Sequence, residues 1–233
     1  MHLLRIRIIV PLTLAAILCL PAAAELQLPS IIGDHMVLQR DAEVALWGWA
    51  TAGSPVKVTV GGKVVEGTAD ADGAWRVTLA PMPMSTKPMT ITIETDGETR
   101  TLSDILVGEV WLCSGQSNMG WPLQAERDAD IEIASSDYPR MRLFKVDNKT
   151  AQTPRRSANG AWQSSSPMSA RGFSAVGYLF GRDLHRVLDC PVGLIDSSWG
   201  GTPAEAWTRI ERLAEDEAPA VLLAEWEEKL ATY

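Results

Sequence analysis

The stretch Gly108-Glu109-Val110-Trp111-Leu112-Cys113-Ser114-Gly115-Gln116-Ser117-Asn118-Met119 decides how this chain is read. Its first half is an apolar run without polar alternation, the pattern of a strand buried on both faces of a parallel sheet. Its second half turns small and polar, and Gly115 permits a tight turn that most side chains would block. A serine on the turn leaving the carboxyl end of a buried strand stands where open α/β sheets bind their ligands. Ser117 is therefore the candidate nucleophile. The plainer reading is a turn serine bonding its own backbone.

Further along, Phe173, Val176, Leu179, Phe180, Leu184, Val187 and Leu188 recur at helical spacing, with Arg182, Asp183 and Arg186 turned elsewhere. This helix should end near Asp189, because Pro191 bars continuation. Met141–Val146 and Val192–Ile195 read as two more buried strands, and strand, helix, strand makes a right-handed parallel unit. The last of these strands is followed by a second small-residue turn, Ser197-Ser198-Trp199-Gly200-Gly201-Thr202. In a parallel sheet both turns emerge at one edge, so backbone N–H groups at Gly200, Gly201 and Ser117 are candidates for an oxyanion hole. Gln116 and Asn118 are candidates for orienting substrate, with Asn118 equally suited to capping a following helix. Trp121 and Trp199 flank the two turns as stacking platforms for a sugar, whereas Trp47, Trp49 and Trp75 read as core.

Upstream the pattern is all β. Short alternating runs at Val44–Leu46, Val56–Val60, Trp75–Leu79 and Ile91–Ile93 lie between the hairpin dipeptides Gly61-Gly62, Asp72-Gly73 and Asp96-Gly97. The segment Pro81-Met82-Pro83-Met84 must be a loop. The expected fold class is α/β: a small antiparallel β-sandwich over residues 25–103, then a parallel-sheet α/β domain over residues 104–233. Only about three sheet strands are visible in that second part, fewer than a covered parallel sheet needs, so it reads as incomplete. Its last strand is expected to expose an unpaired apolar edge. The final stretch from Ala204 is helical in composition and interrupted at Pro219.

Residues 1–24 have the form of a secretory signal peptide: Arg5 and Arg7, an apolar run Ile8–Leu20, and the cleavage site Ala22-Ala23-Ala24. A secreted or periplasmic protein is expected, with no membrane span after cleavage. Removing the leader leaves 19 basic against 29 acidic residues, a net charge of −10. Such a surface repels nucleic acid and anionic membranes, so neither is expected as a partner. Cys113 and Cys190 flank buried strands and read as small hydrophobes rather than a disulfide. No cluster has metal-ligand spacing, and no metal or other cofactor is expected.

A serine nucleophile needs a base, usually His held by a carboxylate. After the leader only His35 and His185 remain, one in the β region and one mid-helix, neither at a strand's carboxyl end. The base is missing from the visible pattern.

Three stretches resemble the sialate O-acetylesterase family, esterases of the SGNH-hydrolase type. They are Asp34-His35-Met36-Val37-Leu38-Gln39-Arg40 with Trp47-Gly48-Trp49; Gly108 through Met119 with Trp121-Pro122; and Phe173 through Tyr178 continuing into Ser197 through Trp207. The resemblance implies that the chain is the N-terminal portion of a serine-type carbohydrate O-acetylesterase, with Ser117 as nucleophile. It also implies an oxyanion glycine in the Gly200-Gly201 turn without choosing between the two. A third oxyanion donor, an Asn, and the Asp and His of the triad come later in the family, beyond Tyr233. The implied substrate is an O-acetylated carbohydrate, cleaved through an acetyl-enzyme. The rival reading is a non-catalytic carbohydrate-binding protein.

Overall fold

The computed structural model describes residues 25–231 except 152 and 216. The leader expected at residues 1–24 lies outside the described residues.

The first seven strands are β1 (Val37–Gln39), β2 (Val44–Trp49), β3 (Pro55–Val60), β4 (Lys63–Thr68), β5 (Ala74–Leu79), β6 (Ser85–Thr95) and β7 (Glu98–Cys113). Strands β3, β4, β6 and the first part of β7 form an antiparallel wing, faced by the separate pair β2–β5. Alternation places Leu46, Val77 and Leu79 from the pair against Val56, Val58, Ile91 and Ile93 from the wing, all buried in one core. The expected sandwich is there. Gly61-Gly62 and Asp96-Gly97 close hairpins, with both glycines of the first in the left-handed region. Asp72-Gly73 does not. Asp70 Oδ1 accepts the N–H groups of Asp72 and Ala74, and the turn sends the chain across to pair with β2 in the other sheet.

Strand β7 is the spine of the molecule. Its first part pairs with β6, and its last five residues pair in parallel with β10 (Val192–Asp196). The expected junction at 103/104 falls inside this strand. One extra residue on β7 separates its pairing at Leu102 from that at Ile105, and Asp104 takes the left-handed conformation there at φ 56°. Such a bulge bends a strand and sharpens its twist.

The Asp34–Arg40 stretch clasps β7 along its length. Asp34 Oδ1 accepts the Ser103 N–H at 2.6 Å and its hydroxyl at 2.9 Å. His35 Nδ1 lies 2.7 Å from Asp104 Oδ2, Gln39 Oε1 accepts the Val110 N–H at 2.8 Å, and Arg40 Nε donates to Glu109 at 2.6 Å. Arg142, whose side chain is 4% exposed, completes the grip with a two-pronged pair to Asp104 at 2.6 and 3.1 Å.

The remaining strands are β8 (Tyr138–Lys145), parallel to β10, and β9 (Trp162–Ser165), antiparallel on the edge of β8. Helices are α1 (Ala129–Ala134), α2 (Pro167–Arg171), α3 (Ala175–Leu188), α4 (Ile210–Leu213) and α5 (Glu217–Ala231). Helix α3 starts at Ser174, whose hydroxyl accepts the Gly177 N–H, and stops at Asp189, which turns left-handed before Pro191. Its buried face differs from the expected apolar stripe. Ala175, Gly177, Tyr178, Gly181 and His185 face the sheet, while Val176, Phe180, Val187 and Leu188 are exposed. A methyl on Gly177 would stand 2.7 Å from Cys113 Sγ, and one on Gly181 2.5 Å from Leu194 Cδ1. Close approach through small residues decided the face.

The open edge is also not where the sequence put it. Strand β10 is interior, between β7 and β8. From Glu109 onward β7 pairs with β10 alone among the described residues, and with Trp111 and Leu112 exposed this end of β7 is not the strand buried on both faces that its apolar run predicts. In α5, Pro219 falls in the first turn, where its missing N–H has no intrahelical partner to lose, so it does not interrupt the helix.

Candidate active site

Strands β7 and β10 run side by side with Cys113 level with Asp196, so both small-residue turns leave the sheet together. Two main-chain bonds continue the pairing past the strand ends: Ser197 N–H to Cys113 O at 3.0 Å and Trp199 N–H to Gly115 O at 2.8 Å. These bring Gly200 against Ser117, where an added methyl would sit 3.5 Å from the serine Cα and Cβ. Gly201 has φ 76° with open space around it, so it makes the turn rather than the close approach.

Ser117 is exposed, and its Oγ donates to Gln116 Oε1 at 2.7 Å. The same carboxamide oxygen accepts the Ser117 N–H at 2.9 Å. Gln116 therefore shields both the hydroxyl and one candidate oxyanion donor, a contact that must open for either to meet substrate. No helix begins at Asn118, which is exposed in the turn closed by Gly120 N–H to Gln116 O. The capping alternative for it is removed. Trp121 is 51% exposed, and its carbonyl accepts the Ala175 N–H, joining the serine turn to the start of α3. Trp199 is half-buried beside Gly115.

Asp196 was not singled out in the sequence. It is buried as the last residue of β10, and its Oδ1 accepts the Ser198 N–H at 3.0 Å and hydroxyl at 2.5 Å. It thus holds the glycine turn in place. An Asp ending an apolar strand immediately before Ser-Ser was the available signal. Burial, with the Asp196 carboxylate adding to it, pushes the Cys113 thiol up to about 11. Cys113 and Cys190 are both buried and free.

The two described histidines are engaged elsewhere. His35 is paired with Asp104, nine residues upstream of Cys113 on β7, and His185 is buried in α3 with Nδ1 2.6 Å from Cys190 O. Among the described residues no group of three or more His, Cys, Asp or Glu side chains is placed to hold a metal. Trp75 is core, as expected, and half-buried Trp47 packs against that core; Trp49 is half-buried, and both line a surface cleft.

Against proteins of known name, 199 residues are 36% identical to sialate O-acetylesterase of Rattus norvegicus, covering 77% of this chain and 36% of that protein. The chain belongs to the sialate O-acetylesterase family. The Homo sapiens sialate O-acetylesterase is 37% identical over 200 residues, 77% of this chain and 38% of its own length. Among solved structures, a carbohydrate acetylesterase from Xanthomonas citri superposes with a TM-score of 0.78 at 34% identity, over 82% of this chain and 44% of that one. No family model matches the chain. The chain spans little more than a third of the length of these curated sialate O-acetylesterase relatives.

Proposed function

We propose that the protein is a serine-type carbohydrate O-acetylesterase with Ser117 as its nucleophile. The observation carrying this reading is that Gly200 faces Ser117 across a gap that one methyl group would fill, at the shared carboxyl edge of β7 and β10. Ser117 Oγ, freed from Gln116, attacks the acetyl carbonyl of an O-acetylated sugar and gives its proton to a base. The resulting oxyanion takes backbone N–H bonds from Ser117 and from the glycine turn, Gly200 being the nearer donor and Gly201 its neighbour. Collapse breaks the bond to the sugar oxygen, which recovers the proton, and leaves acetyl-Ser117. Water then releases acetate by the same path in reverse.

The base we assign to a histidine–carboxylate pair outside residues 25–231, since His35 and His185 are both engaged away from the serine turn. Gln116, Asn118, Trp121 and Trp199 form the rim against which the sugar would rest. The signal-peptide pattern of residues 1–24 supports a secreted or periplasmic location for the mature protein.

Acetate release from an acetylated sugar and turnover of p-nitrophenyl acetate test the assignment. Ser117→Ala should lower both by roughly three orders of magnitude or more. Undiminished rates in that variant would remove Ser117 from the mechanism. A protein that turns over neither ester would favour the second reading, a non-catalytic carbohydrate-binding protein, which draws on the Ser117 hydroxyl being turned to Gln116.

A further inference from the structure

We infer that the cleft between the β2–β5 pair and the loop following β8 is a second saccharide site, built for an oligosaccharide that carries carboxylates. The cleft has two lobes of about 630 and 600 Å³, within the size range of small-molecule sites. Trp47, Arg155 and Arg156 line both lobes and so form its waist.

The strands supply the aromatic floor. Trp47 and Trp49 stand two residues apart on β2 and share its outer face, and Arg76 is the cross-strand partner of Trp47 on β5. The wall is made by residues 147–151 and 155–159 between β8 and β9, tied down at three points. Trp47 Nε1 donates to the Arg156 carbonyl at 3.2 Å, the Ser30 hydroxyl donates to the Ala158 carbonyl, and Asp147 N–H donates to Asn159 O at 3.0 Å. Fixing the Arg156 backbone leaves its guanidinium and that of Arg155 exposed at the mouth.

Charge selects the ligand class. The lining carries Arg76, Lys149, Arg155 and Arg156 against Asp70 and Asp147, and one oxygen of Asp70 already accepts two turn N–H groups. None of the four cationic side chains has an acidic partner among the described ion pairs. A net positive cleft on a chain of formal charge −8 is an island that attracts anions where the rest of the surface repels them. Guanidiniums bind carboxylates with two parallel bonds, and indole faces stack on sugar rings. The second lobe reaches Val146 and Ile195, and Val146 N–H donates to Asp196 O. A chain lying in the cleft thus points toward the edge that carries Ser117. The choice of a sugar as ligand rests on the carbohydrate reading above; the preference for negative charge does not.

Titration of the protein's tryptophan fluorescence with trigalacturonate against galactotriose, and with 3′-sialyllactose against lactose, tests the site. At least one acidic sugar should bind tenfold or more tightly than its neutral counterpart, and the preference should shrink at about 0.5 M salt. The double variant R155E/R156E, on an exposed loop, should weaken that binding at least tenfold with an unchanged circular dichroism spectrum. Ser117→Ala should bind as the parent does, which separates this site from the esterase assignment. Equal affinity for acidic and neutral sugars, no binding of either acidic sugar, or full binding by R155E/R156E would each overturn the proposal. Loss of binding in Ser117→Ala would move the signal to the serine edge and overturn it too.

Discussion

Ser197 gives its backbone N–H to the Cys113 carbonyl at 3.0 Å, one step beyond the last paired residues of β10 and β7. That bond sets the separation of the two turns, and everything at the serine edge inherits it. With no side chain on Gly200, a gap about one methyl wide stays open between it and the Ser117 side chain, where an added methyl would sit 3.5 Å from the serine Cα and Cβ. Replacing Gly200 by Val should place methyl groups over the Ser117 side chain while leaving the exposed turn folded. We expect kcat/KM for an acetyl ester to fall about a hundredfold, the scale of losing one oxyanion donor, with an unchanged melting temperature. An unaltered kcat/KM would show that substrate does not occupy that gap.

Gly108 predicts a purely structural failure. A methyl there would stand 2.0 Å from the Pro191 carbonyl oxygen and 2.7 Å from its carbon, both backbone atoms that cannot swing aside. Glu109 N–H donates to that same carbonyl at 2.9 Å, so relief would break the first rung joining β7 to β10. Gly108→Ala should cost about 3 kcal/mol or more, the upper range for overpacking, measured by urea unfolding. A loss below about 0.5 kcal/mol would contradict the close crossing.

Acid should unfasten the clasp at the β7 bulge. The Arg142 guanidinium, then the His35 ring, hold the Asp104 carboxyl below its ordinary value of 3.8, and hydrogen bonds from Ser103 do the same for Asp34. Because these folded-state values are depressed, the stability they contribute is complete above the ordinary carboxylate range. It is lost as pH falls from about 4 through the lowered values. Asp104→Asn should flatten the stability profile in that window. At pH 7 it should cost about 3 kcal/mol, because it leaves the buried Arg142 charge without its partner. Parallel pH profiles for parent and variant would refute the linkage.

Cys113 borders the serine edge yet should be inert. Burial carries its thiol to about 11, and burial also raises Cys190. At neutral pH the thiolate that reacts is scarce in both. Native protein should leave Cys113 and Cys190 unmodified by a disulfide reagent over the time in which the unfolded chain reacts fully. Rapid native labelling of Cys113, located by mass spectrometry, would refute this.

Local chemistry made much of this molecule legible in the sequence. The Gly61-Gly62 and Asp96-Gly97 hairpins, the end of α3 before Pro191, and the strand-and-turn ending at Ser117 all follow from preferences that act over a few residues. So did the reading of both cysteines as buried hydrophobes. What failed did so where partners are distant in the chain. The apolar stripe of α3 misjudged its buried face, because Cys113 and Leu194 admit only Gly177 and Gly181 at that distance. Trp49 reads as core, but its place on β2 leaves it half-buried at the surface cleft, while Trp47 lines that cleft and still packs against the core.

The stretch Asp34–Arg40 marks the boundary most clearly. As sequence it carried a resemblance and no visible mechanism. Folded, Asp34, His35, Gln39 and Arg40 meet Ser103, Asp104, Val110 and Glu109, about seventy residues away. Spacing along the chain contains no trace of such a register. It is decided by where β1 lies against β7, by the extra residue that bends β7 at Asp104, and by the buried Arg142 that holds the bend. The sequence alone determined which residues turn and which alternate. Tertiary structure decided which of them meet, because a hydrogen bond between distant residues exists only once the strands between them have paired.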